Sequence, residues 1–228
     1  MTSAHAPHRS PATTFALAAV SATVLGACVS AGPVVEERPA TAEVGPIEQP
    51  VMRVGDSIAQ VVLVDEYTGL SGAHGYTVDA VDDDGTLSAT SANDCSWRQG
   101  ADLFSPSLAW NDCGKGEWAS GTRTISATGG EMWPLVPGNE ASWRWSNRSS
   151  EGSTGNGTRE CEVQEPVAIS VAVGEVDALK VVCVDRTADG TGTRTWYFTE
   201  EHGEVKYIER GGDGKARFDV ERAPAGSV

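Results

Sequence analysis

Ser57, in the run Gly55-Asp56-Ser57-Ile58, is the first side chain whose setting suggests chemistry. A serine hydroxyl is a weak nucleophile and needs a neighbouring base, usually a histidine held by a carboxylate, together with donors for the oxyanion. Beyond residue 27 the histidines are His74 and His202 alone. Two acidic clusters invite other chemistry. Asp82-Asp83-Asp84-Gly85 matches part of a calcium loop, but that pattern would need an acid at Ala80 and a glutamate at Ser91, so a solvated hairpin turn is the plainer assignment. Glu200-Glu201 are adjacent, and neighbouring strand residues point to opposite faces, so they would not flank one glycosidic bond. There is no Cys-x-x-Cys and no Cys/His pair at ligand spacing. No metal site and no cofactor are expected.

Gly55-Asp56-Ser57-Ile58 is similar to the G-D-S-L block of a family of serine hydrolases. In that family an Asp stands three residues before the histidine, whereas Thr199 stands three before His202. The strand-helix alternation around that nucleophile is missing too. Ser57 is therefore expected in a polar turn leading into a strand, and a hydrolase ranks third among the functions considered.

Residues 1–27 carry Arg9 and no acid, then an apolar run from Phe15 to Leu25, then Gly26-Ala27. That order is the one of a secretory signal. An eleven-residue apolar run is well short of the roughly 20 residues of a membrane-spanning helix, and no second long run follows. Leu25-Gly26-Ala27-Cys28 resembles the lipobox of bacterial lipoproteins. The resemblance implies a mature chain starting at Cys28 with lipid on its sulfur and its amino group, held in the membrane by several acyl chains at about 0.8 kcal/mol per buried CH₂. It also implies the cell envelope, on the periplasmic side. Val29, standing where some lineages use Asp to sort lipoproteins, points to the outer membrane.

With Cys28 assigned to lipid, Cys95, Cys113, Cys161 and Cys183 remain, an even set in an oxidising compartment. Three pairings are open. Spacing groups Cys95 with Cys113 and Cys161 with Cys183, each closing a loop worth about 3 kcal/mol in the chain-entropy account.

The chain has 17 Lys+Arg against 32 Asp+Glu. Loss of residues 1–27 removes one arginine and no acid, so the formal charge moves from −15 to −16. Such a balance argues against nucleic-acid partners, whose phosphates reward clustered cations. Seven tryptophans are many for this length. Trp143 and Trp145 flank Arg144 and would share one sheet face, a speculative platform for stacking sugar rings; the competing assignment is that they fill the core.

The elements that must position these residues are strands. Short alternating or β-branched runs recur between Gly, Asp and Asn turns, at about 59–65, 76–82, 86–90, 122–128, 141–147, 158–164, 167–173, 176–186, 193–199, 204–210 and 216–222. Asp84-Gly85, Asp189-Gly190 and Asp213-Gly214 mark hairpins. A strand through Cys161, bent at Pro166, turning at Gly174-Glu175 and returning to Cys183 would bring those sulfurs together. The expected layout is a signal peptide (1–27), a disordered tether (28–50), a β domain (51–222) and a flexible tail (223–228). A faint duplication divides the domain into halves 51–130 and 131–222.

Trp133-Pro134-Leu135 with Gly138, the run 173–180 and Trp196-Tyr197-Phe198 leading to Gly203-Glu204-Val205-Lys206-Tyr207 are similar to uncharacterised secreted β proteins of bacteria. That resemblance, over 131–210, implies a curved sheet or half-barrel and no known activity. The expectation is thus an all-β antiparallel sandwich or half-barrel, lipid-anchored in the envelope, with a non-enzymatic binding or structural role. The alternative is a carbohydrate- or lipid-binding module. The membrane is its expected partner through the N-terminal lipid, with an envelope protein, glycan or lipid as a further partner.

Overall fold

The computed structural model describes residues 35–226. Its strands are β1 (Arg38–Pro39), β2 (Ser57–Asp65), β3 (Gly72–Val81), β4 (Leu87–Ser91), β5 (Ser96–Gln99), β6 (Ala109–Asn111) and β7 (Gly121–Gly130). They continue as β8 (Glu140–Ser149), β9 (Thr154–Val171), β10 (Gly174–Thr187), β11 (Gly190–Thr199), β12 (Gly203–Arg210) and β13 (Ala216–Arg222). From β2 to β13 each strand pairs antiparallel with the next, and β13 returns to pair with β2. The class is all-β and antiparallel, as the alternating pattern indicates, and the sheet goes beyond a sandwich or half-barrel by closing fully into a twelve-stranded barrel. Closure removes the free sheet edges.

Period-two patterning sets the faces. In β8, Ala141, Trp143 and Trp145 are buried while Glu140, Ser142, Arg144, Ser146 and Arg148 are exposed. The exposed phase is polar, whereas a membrane-spanning barrel needs an outward apolar band. A barrel this wide cannot be filled by strand side chains alone. Loops complete the packing: Phe104 from the β5–β6 connection and Met132 and Leu135 from the β7–β8 connection are fully buried among Trp143, Val163, Leu179, Trp196 and Phe198. Phe104 stacks on Trp133 with centroids 5.2 Å apart and meets Trp196 and Phe198 edge-on.

The long β9–β10 hairpin does more than extend the wall. Cys161 lies directly opposite Cys183, and the two form a disulfide. Beyond a bulge at Ala178/Lys180, opposite Pro166, the distal part covers the outer face of β11–β13. There Ile169, Val171, Val173 and Val176 pack on Tyr197, Val205 and Ile208, and the Ala172 amide donates to Glu221, three strands from β10. The turn falls at Ala172-Val173 rather than at Gly174-Glu175, because Gly174 already pairs with Val171. Under this cover Lys206 bridges Asp219 and Glu221, each at 2.8 Å.

Residues 35–50 correct the expectation of a disordered tether. Arg38 and Pro39 pair with β9, Thr41 and Ala42 donate to Asp177, and Ile47 is buried and bridged to Leu135. Backbone pairing and one buried aliphatic side chain give this polar segment enough contact to order. The rest of the tether up to residue 34, the signal at 1–27 and the lipobox with Cys28 lie outside the described residues. In the expected tail, Ala223 is buried and its amide donates to Ala59. The proposed halves are joined by two ladders, β7–β8 and β13–β2.

Candidate functional site

The barrel interior holds a cavity of about 420 Å³, within the size range of small-molecule sites. One wall is apolar, made by Met52, Tyr76, Leu87, Trp97 and Leu103. Tyr76 meets Trp97 edge-on at 5.2 Å, and Trp97 is the cross-strand partner of Trp110. Another part of the lining is charged, built from Arg123, Arg159, Arg194, Glu209 and the tyrosines 67 and 207.

Strand register assembles that charged wall. Asp185 of β10 stands opposite Arg159 of β9, and Arg194 of β11 opposite Glu209 of β12. Arg159 grips Asp185 with two hydrogen bonds, Nε to Oδ1 at 2.6 Å and Nη2 to Oδ2 at 2.7 Å. Its Nη1 donates to the Phe104 carbonyl at 2.9 Å, which ties the plugging loop to the network. Arg194 Nε donates to Asp185 Oδ2 at 2.8 Å, and its Nη1 reaches Glu209 at 2.7 Å and the Tyr207 hydroxyl. Tyr67 donates to Glu209 at 2.6 Å. Burial works to raise the Asp185 pKa, but the hydrogen bonds from Arg159 and the charge of Arg194 outweigh it and hold the carboxyl well below the usual range. For Tyr67, burial and then Glu209 push the hydroxyl up, so it stays a donor.

Arg123 is placed differently. It projects inward from β7, its guanidinium carbon 5.1 Å from the Trp110 ring centroid and 5.0 Å from that of Trp145. Such contacts are worth roughly 0.5–2 kcal/mol each. Burial, with Arg159 and Arg194 nearby, pushes its pKa down to about 9, which leaves it cationic at neutral pH.

The residues singled out in the sequence have separate fates. Trp143 and Trp145 share one face, but that face is the interior: they are 6% and 4% exposed, which corrects the stacking platform, because their strand turns its apolar phase inward. Ser57 opens β2 opposite Thr77, while His74 contacts the Ser71 carbonyl at 3.0 Å and His202 lies 3.8 Å from Glu201. None of the described hydrogen bonds joins Ser57 to a histidine. Asp82 to Gly85 form the β3–β4 hairpin turn, where Asp82 binds Arg98 and Asp84 accepts from Thr86. Those Thr86 hydrogen bonds lower the Asp84 pKa. Among the described residues, no group of three or more His, Cys, Asp or Glu is placed to hold a metal. The second disulfide joins Cys95 to Cys113, so both pairs follow the spacing.

The charged wall went unnoticed in the sequence, although a signal exists. Arg159 is in phase with Cys161 and Val163, Arg123 with Ile125, and Arg194 with Trp196 and Phe198. A charge in the apolar phase of a strand marks an inward charge.

No protein-family model matches this chain, and no curated protein matches it. Among solved structures, a Bacteroides fragilis protein, provisionally described as exported and with a YmcC-like fold, is similar at a TM-score of 0.37 and 10% identity, covering 78% of this chain and 96% of its own. A Parabacteroides distasonis protein, provisionally described as a lipoprotein, is similar at a TM-score of 0.35 and 11% identity, covering 79% and 98%. The fold class rests on the ladders described above.

Proposed function

We propose that this chain is a lipid-anchored, extracytoplasmic protein of the bacterial envelope whose barrel binds a small organic ligand in its interior, without catalysis. The observation that carries this reading is the cavity itself, whose lining combines aromatic side chains with a fixed array of charges. An apolar recess with a few oriented polar groups is the common form of a small-molecule site. The polar outward phase of β8 and the ordered segment 35–50 fit a barrel held beside a membrane rather than across it.

Binding is tested with the neutral fluorophore N-phenyl-1-naphthylamine. Saturable enhancement of its emission with the purified full chain is expected, and a strictly linear response would overturn the cavity reading. Anchoring is tested by Cys28→Ser, which should move the protein from the membrane to the soluble fraction; retention on membranes would refute lipidation. Hydrolysis of short-chain esters that disappears in Ser57→Ala would overturn the non-catalytic role.

A further inference from the structure

The charges facing the cavity do not balance at Arg123. Arg159 and Arg194 share Asp185 and Glu209, so three inward guanidiniums meet two carboxylates. Arg123 Nη1 donates to the Ser107 carbonyl at 3.1 Å, Nε is buried without an acceptor, and no carboxylate lies within 4.0 Å among the described residues. A guanidinium has five N–H donors, and an unpaired one out of water is costly. Of the remaining acids lining the cavity, Asp65 accepts from the amides of Tyr67 and Thr68 in its own turn, and Glu204, whose burial raises its pKa to about 7 against the charge of Arg222, forms no ion pair with Arg123.

The position of Arg123 is built, not incidental. Each flanking indole lies over a glycine of the next strand: Trp110 over its partner Gly121, and Trp145 over its partner Gly157. A Cβ at Gly121 would stand 2.7 Å from the Trp110 ring and one at Gly157 2.6 Å from the Trp145 ring. Only glycine leaves both indoles room to lie down and clamp the guanidinium. From Trp110 the apolar wall continues through Trp97 to Tyr76.

We infer that the cavity takes an organic anion, with a carboxylate, sulfate or phosphate monoester seated on Arg123 and an apolar body laid along Trp97 and Tyr76. This assignment rests on the cavity-binding reading above and names its ligand class. The pairing supplies the missing countercharge as charge-assisted hydrogen bonds in a partly dry site.

The test displaces N-phenyl-1-naphthylamine from the full chain with laurate, dodecanol and dodecylamine, which share one chain and differ in head-group charge. Laurate should bind roughly tenfold or more tighter than dodecanol, and dodecylamine most weakly. Arg123→Met should abolish the preference for laurate while keeping the affinity for dodecanol, and Arg123→Lys should retain part of it. Equal affinities for all three, or a preference for the amine, would overturn the anion assignment and leave the cavity reading standing. Failure of the fluorophore itself to bind would remove both. The head-group series on the unaltered protein decides the matter even where Arg123→Met fails to fold. An octyl phosphate and octanoate pair then separates phosphate from carboxylate.

Discussion

Glu204 lines the cavity where burial pushes its carboxyl from an ordinary value of 4.5 up to about 7, Arg222 opposing. A raised acid pKa means that the native state holds its proton more tightly than the unfolded chain, so the contribution to stability is full below about pH 4.5 and is lost as pH rises through about 7. Glu204→Gln should therefore flatten the fall in urea midpoint across that window, by on the order of 1–2 kcal/mol once its partial exposure is discounted. An unchanged slope would place the titration elsewhere. Asp185 carries two guanidiniums, and Asp185→Ala strands Arg159 inside the barrel while leaving Arg194 only Glu209 as a countercharge. Loss of about 3–5 kcal/mol is expected by equilibrium denaturation. Arg159 and Asp185 were legible as inward residues from their phase alone. That Arg123 lacks an acid was not, because which charges meet depends on register between strands distant in sequence.

Elements differ in how much they depend on their covalent links. The Cys161–Cys183 disulfide crosses a ladder that runs from Gly157↔Thr187 to Val171↔Gly174, so hydrogen bonds already hold the two strands together. Cys95–Cys113 instead joins the vicinity of β5 and β6, strands of four and three residues. Replacing Cys95 and Cys113 by serine should raise amide exchange through β5, β6 and the loop bearing Phe104, whereas replacing Cys161 and Cys183 should leave exchange in β9–β10 far less changed. Mass-resolved hydrogen exchange on both variants checks this; equal effects would contradict it. Within the barrel, these two strands are also the ones that the sequence pattern misses, since three or four residues carry too few alternations to stand out. The hairpins at Asp84-Gly85 and Asp213-Gly214 were readable because both glycines need a positive φ, 80° and 76°. The ordering of residues 35–50 was hidden, because its partners, Asp177, Leu135 and β9, lie far along the chain, from about 90 to about 140 residues away.

At the scale of the whole molecule, closure makes the first barrel strand lean on the last. Each half, 51–130 or 131–222, loses both junction ladders when separated. The halves expressed alone should be unfolded by circular dichroism, and the intact chain should unfold in one transition seen alike by far-UV and near-UV signals. A folded half would argue for an autonomous repeat. The strand class, the hairpin turns at Asp84-Gly85 and Asp213-Gly214 and the grouping of cysteines were determined by the amino-acid sequence, because each is a matter of residues within about one hairpin of each other. Closure into a barrel, the loops that plug it, the cavity and the unpaired Arg123 were decided only in three dimensions. They arise where β13 meets β2, where Phe104 and Leu135 reach the interior, and where Trp110 and Trp145 settle over glycines of adjoining strands. Period-two alternation tells each side chain which face it takes, but not which strand lies across from it.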